Sequence, residues 1–242
     1  MLRSVKALHS YAIEATDGHL GGVHAFYFDD LLWTIRYVVV DTGAWLPGRR
    51  VLISPSAIGQ PQWELRQLPV NLTQEQIKNS PDVDTDRPVS RQHQIALHSY
   101  YAWSEYWTVA PIGPDMLALP PELAEEFAAE SSDPHLRSTH EVISYYIQAS
   151  DGDLGHVEDF IISDDDWTIR YMVIDTRNWL PGKKVLVAPE WITEVNWSEA
   201  KVHVDLSQKA IKDSPEYDPA EPVNRVYEEQ LYDFYGRPKY WN

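Results

Sequence analysis

The run Asp82-Val83-Asp84-Thr85-Asp86 places carboxylates at every second position, the spacing with which a calcium-binding loop opens. Such a loop also needs glycine at its sixth position, for the sharp turn, and a bidentate glutamate at its twelfth. The chain has Arg87 and His93 there, so a solvated loop is expected instead of a metal site. Asp164-Asp165-Asp166 likewise reads as a charged turn before Trp167, because the matching residues of the first half are Asp30-Leu31-Leu32. Ser90 and His93 lie one helical turn apart and could form a hydroxyl–imidazole pair. Serine at a helix start acts as a cap, however, and the matching residues of the second half are Asn224 and Tyr227. There is no cysteine in 242 residues, which removes thiolate nucleophiles, disulfides and cysteine-ligated metals. The sequence also has no Gly-x-Ser-x-Gly elbow, phosphate loop, dinucleotide fingerprint or His-Glu-x-x-His pair. The expectation is a protein that is not an enzyme and uses no metal and no cofactor.

Recognition chemistry remains. Trp33, Arg36 and Tyr37 recur as Trp167, Arg170 and Tyr171, and Trp45 recurs as Trp179; these eight are the candidate interaction residues, since large rings and guanidinium groups suit protein surfaces. They recur because the chain is an internal duplication. At an offset of 134 residues the match runs without a gap from Leu2/Leu136 to Trp107/Trp241, with about four in ten positions identical. The expected organisation is a first repeat over 1–107, a Pro/Ala-rich linker over 108–135 with a helical candidate at 121–130, and a second repeat over 136–242.

The elements that must position these residues are mostly strands. Each repeat begins with β-branched and aromatic runs between Asp-Gly and Pro-Gly turns, predicting strands at 11–15, 21–28, 34–41, 49–53 and 58–64, with a weaker sixth at 67–70, all copied in the second repeat. Helices follow at 73–78, capped by Thr73 and ended by Ser80-Pro81, and at 90–101. In the strand from Trp33 to Asp41, alternation puts Trp33, Ile35, Tyr37 and Val39 on one face and Thr34, Arg36, Val38 and Val40 on the other. Both faces are mainly apolar, so the second needs a cover: the helical tail, the other repeat or a partner. A half-buried Arg36 or Arg170 calls for a carboxylate or carbonyl cage. Trp45 and Trp179 are either exposed anchors or caps over a barrel end. The clusters Tyr100-Tyr101-Ala102-Trp103 with Tyr106-Trp107, and Phe234-Tyr235-Gly236 with Tyr240-Trp241, are expected to fold back and seal the strands.

Twenty basic against 37 acidic side chains give a net charge of −17, which opposes nucleic-acid binding by phosphate neutralisation. No run approaches the length of a transmembrane segment, and the first residues lack the apolar core of a signal peptide, so a cytoplasmic protein is expected.

The Asp-Gly-x-Leu-Gly turn, the block Trp33-Thr34-Ile35-Arg36-Tyr37 through Asp41-Thr42, and Trp45-Leu46-Pro47-Gly48 together resemble the PRC-barrel family, and both repeats carry the resemblance. It is closest to bacterial proteins with two PRC-barrels, in which a tail like Leu72-Thr73 through Ser80-Pro81 and Pro88-Val89-Ser90-Arg91 follows the barrel. The family includes the cytoplasmic domain of the photosynthetic reaction centre H subunit and the C-terminal domain of the ribosome maturation factor RimM. The resemblance implies a mainly β chain of two tandem six-stranded barrels, each with a short helical tail, acting as an interaction or assembly module and bringing no catalytic residues. The implied partner is a protein, with a homodimer also open. The alternative is a small-ligand-binding or regulatory protein in which Arg36 and Arg170 hold an anion in a cleft between the barrels.

Overall fold

A computed structural model describes residues 1–9, 11–82, 89–107, 135–176 and 183–241. The helical candidate at 121–130 and Trp179 lie outside the described residues. The first repeat consists of β1 (Leu2–Ser4), α1 (Val5–Leu8), β2 (Ala12–Ala15), β3 (Gly18–Asp29), β4 (Thr34–Asp41), β5 (Arg50–Ile53), β6 (Gln67–Pro69), α2 (Gln74–Lys78) and α3 (Arg91–Tyr101). The second consists of β7 (Leu136–Ser138), α4 (Thr139–Val142), β8 (Tyr146–Ala149), β9 (Gly152–Ser163), β10 (Ile169–Asp175), β11 (Lys184–Val187), β12 (Ile192–Asn196), β13 (Lys201–Val204), α5 (Gln208–Asp213) and α6 (Arg225–Tyr235). The chain is mainly β, with two sheets.

Local chemistry explains most boundaries. Thr73 accepts a hydrogen bond from Gln76 N while the Gln76 side chain accepts from Thr73 N, a reciprocal cap that starts α2. Ser90 accepts from His93 N and starts α3, and the same hydroxyl lies 3.1 Å from His93 Nδ1, so the helix cap and the hydroxyl–imidazole pair form together. Leu46-Pro47-Gly48 forms a turn closed by Arg49 N donating to Leu46 O at 3.2 Å, with Gly48 at φ +78°, where a side chain would be strained. The predicted strand at 58–64 forms only in the second repeat, as β12. In the first, isolated bridges join Ile58 to Val70 and Gln62 to Gln67, and a 3-10 turn occupies Trp63–Leu65. Pro61 stands where the second repeat has Val195, and proline cannot donate to the ladder.

The two compact units are not contiguous in sequence. The N-unit comprises Ser10–Asp29 and Arg36–Arg137; the C-unit comprises Met1–His9, Asp30–Ile35 and Ser138–Asn242. In the N-unit the sheet runs β5-β4-β3-β2-β6, with β7 of the second repeat added to β3. In the C-unit it runs β11-β10-β9-β8-β13-β12, with β1 of the first repeat added to β9 in antiparallel register, Leu2 opposite Ser163 and Ser4 opposite Ile161. The repeats thus exchange their first strands. Both arms were missed as strands because three residues are too few to show a period.

Each sheet has two buried faces. In the N-unit Phe26, Phe28, Val38 and Val40 are fully buried, while Tyr27, Tyr37, Val39 and Leu52 pack with Val89, Leu97 and Leu136 beneath Tyr101, Trp103 and Tyr106. The helical tail therefore covers the Tyr37 face, whereas the face whose cover sequence left open was the opposite one, with Arg36 and Val38.

Candidate functional site

Four of the candidate residues, Arg36, Tyr37, Arg170 and Tyr171, fall into a seam between strand and tail, built once per unit. In the N-unit the buried Tyr37 hydroxyl lies 2.8 Å from His98 Nε2, and His98 Nδ1 lies 3.0 Å from the Ser104 carbonyl. A carbonyl can only accept, so Nδ1 carries the proton and Nε2 accepts from Tyr37. Gln94 Oε1 accepts from Tyr106 and lies 3.5 Å from the Tyr37 hydroxyl. Arg36 donates to Asp29 at 3.1 Å, and its guanidinium carbon sits 4.2 Å from the centre of the Tyr106 ring.

The C-unit repeats this plan with different chemistry. Glu228, buried and at the position of Gln94, accepts from both the Tyr171 and Tyr240 hydroxyls at 2.8 Å, and its other oxygen meets Arg225 at 3.2 Å. Burial pushes the Tyr171 hydroxyl far above its ordinary pKa, with Tyr232 and Glu228 adding to the effect, so it remains a donor. Arg170 pairs with Asp166 and lies 4.5 Å from the centre of the Tyr240 ring. Arg170 and Tyr171 reach the same tail although neighbours in a regular strand face opposite ways. The β9–β10 register shifts between Ile169 and Tyr171, a bulge at Arg170 that alternation could not foresee.

The tryptophans are placed differently. Within the C-unit Thr34 pairs antiparallel with Thr168; Ile35 N donates to Trp167 O at 2.8 Å and Ile169 N to Trp33 O at 2.6 Å. Trp33 (φ 52°) and Trp167 (φ 59°) are both left-handed, a strained conformation that occurs at the same position of both repeats. Trp45 is half-buried in the turn after β4, its N–H donating to Thr42 O at 3.2 Å. Arg36 and Arg170 are each bonded within their own unit.

The acidic runs have structural partners. Arg3 pairs with Asp164 at 3.1 Å, and Asp166 Oδ1 accepts from Thr168 N at 3.1 Å. Asp82 lies 3.3 Å from Arg49; the rest of its run lies outside the described residues. Among the described residues no three His, Cys, Asp or Glu side chains group as a metal site.

A cavity of about 560 Å³ opens in the C-unit, bounded by Arg3, Asp165, Asp166, Arg170, Asn224, Arg225 and Tyr240 among others, the size of a small-molecule site. Next to β1, buried Asp159 accepts from Ser4 Oγ at 2.5 Å and Lys6 N at 3.0 Å. Burial raises the pKa of Asp159 against the effect of those bonds. Glu158 sits between Lys184 at 2.8 Å and Lys6 at 3.1 Å; burial opposes its charge, but the two lysines outweigh it and lower its pKa. Sequence reasoning missed these arm contacts, although the repeated Leu-Arg-Ser at 2–4 and 136–138 was a visible signal.

His98 is expected to make the N-unit acid-sensitive. Burial lowers its pKa, with the Arg91 charge acting the same way, against the opposing bonds to Ser104 and Trp103 and the Glu105 charge. The folded pKa is below the unfolded one, so the stabilisation is complete above about pH 6.5 and is lost as pH falls below it. Hydrogen exchange across 97–107, corrected for intrinsic rates, is expected to be faster at about pH 5.5 than at about pH 7.5. His98→Tyr, the residue of the second repeat, should abolish the difference; its persistence would assign the acid sensitivity to another group.

Among the described residues no helix is long and apolar enough to cross a membrane. No protein-family model matches the chain, and no curated protein is detectably similar to it.

Proposed function

We propose that the chain is a non-enzymatic protein-interaction or assembly module built from two PRC-type barrels. The observation that carries this reading is the turn between β3 and β4. There Leu31 and Leu32 stand side by side, 54% and 64% exposed. The same turn in the second repeat carries Asp165 and Asp166 at those positions. The second repeat forms the same turn with two acids, so the turn itself does not require leucine there, and a consecutive exposed apolar pair at a loop tip suits docking on a protein. The polar candidates Arg36, Tyr37, Arg170 and Tyr171 all bond within their own units, so the reading places docking on the tip and not on them.

The test replaces both leucines by the residues of the second repeat, Leu31→Asp and Leu32→Asp. Stability is expected to change by no more than about 1 kcal/mol, as is usual for surface positions. In quantitative affinity capture at least one stoichiometric protein is expected to be held by the intact chain and lost by the variant. An unchanged set of captured proteins would remove the tip as the docking element.

Binding of a small anion is the second reading, and the C-unit cavity favours it. It ranks lower because Arg3, Arg170 and Arg225 already face Asp164, Asp166 and Glu228, so an anion would have to displace an internal pair. Titration with inorganic phosphate, followed by tryptophan fluorescence, separates the two readings: a saturable change reversed by salt would favour the anion site.

A further inference from the structure

We infer that Met1–His9 is an exchangeable donor strand whose second acceptor is the β9 edge of another copy of this chain. Three observations support this, none of which involves the leucine tip. First, the arms β1 and β7 have the same sequence, Leu-Arg-Ser, and each is already seated on a strand of the other repeat, so the fold is built on donated strands. Second, the seat lies within the C-unit and can be matched by an arm from another chain: three residue pairs along β9, Asp164 N donating to Met1 O, the buried Val5 and Leu8 of α1, and carboxylate bonds from Asp159, Glu158 and Asp164 to Ser4, Lys6 and Arg3. The same bonds form whichever chain supplies the arm, so exchange conserves contacts and is governed by concentration. Third, the seat is addressed. Glu158 and Asp159 match Lys6 and Ser4 of the first arm, whereas the corresponding β3 positions are His24 and Ala25 and the second arm carries His140 in place of Lys6. A donated first arm is therefore directed to the C-unit of its partner, and the shared Leu-Arg-Ser is sorted by the residues beside it.

The experiment uses two full-length chains distinguishable by mass, one Leu2→Cys and the other Ser163→Cys. The chain has no cysteine of its own, and Leu2 and Ser163 are direct cross-strand partners, so a mixed disulfide reports this contact alone. After equilibration at about 1 mM, the scale of a tethered arm's effective concentration, a disulfide-linked heterodimer is expected; at about 1 μM it should be at least tenfold less abundant. A single chain carrying both substitutions must close its own bond on dilution. If it does, and no heterodimer forms at the higher concentration, exchange is refuted; if it does not, the seat itself is absent in solution and the inference fails with it. Glu158→Lys in the acceptor is expected to reduce the linked product about threefold, with Lys6→Glu in the donor restoring it. A yield indifferent to both changes would refute the addressing by charge.

Discussion

Gly21→Ala is expected to lower the stability of the protein by about 4 kcal/mol and its thermal midpoint by about 10 °C. A Cβ at this position would lie 2.0 Å from the Asp41 carbonyl oxygen and 2.9 Å from the Asp41 carbon, and the backbone is at φ +147°. The obstacle is the backbone at the end of β4, which cannot rotate away as a side chain could, so either β3 or β4 must move. At Gly155, the equivalent residue in the second repeat, a Cβ would lie 2.1 Å from the Asp175 carbonyl oxygen, and alanine there should have a similar effect. Gly59→Ala is the control. Its nearest neighbours would be 3.6 Å away, ordinary contact, and its effect should stay within about 0.5 kcal/mol. Thermal unfolding followed by circular dichroism decides the matter; equal midpoints for the Gly21 and Gly59 variants would show that the close approach of β3 to β4 does not constrain the fold.

Glu228→Leu is expected to cost about 3 kcal/mol, because it leaves the Tyr171 and Tyr240 hydroxyls without their acceptor and releases Arg225 from its carboxylate. Glu228→Gln should cost about 1 kcal/mol or less, since an amide oxygen still accepts from both hydroxyls and a buried charge is removed. The chain contains its own precedent: Gln94 holds the same place in the N-unit, where its amide oxygen accepts from Tyr106 beside Tyr37. Urea unfolding with an unchanged slope measures both variants. Equal stability of the leucine and glutamine variants would mean that the tyrosine hydroxyls do not depend on this acceptor.

Features governed by neighbouring residues were the legible ones. The caps at Thr73 and Ser90, the turn at Leu46-Pro47-Gly48 and the strand over 34–41 each depend on a few adjacent side chains, and sequence displays those directly. The candidate arginines were legible as half-buried groups in need of carboxylates, and the structure supplies Asp29 and Asp166. Other features depend on residues far apart in the chain. The bulge at Arg170 arises from pairing with β9, so alternation along one strand placed Arg170 and Tyr171 on opposite faces. His98 and Glu228 have roles only through Tyr37 and Tyr171, which lie far from them in the chain. Pro61 was in view throughout, but its effect follows only from the hydrogen-bonding role that Val195 has in β12.

The donated arms also constrain synthesis. Leu2 leaves the ribosome 161 residues ahead of its partner Ser163. The sheet that contains β3 likewise lacks β7 until residues 136–138 have been made. The nascent first repeat therefore spends the translation of residues 108–135 with an open β3 edge and an idle arm, the interval in which a neighbouring nascent chain on the same message could capture it. Slowing elongation across 108–135 should lengthen that interval and raise the yield of entangled products, whereas a fold with locally paired strands would be indifferent to the pace.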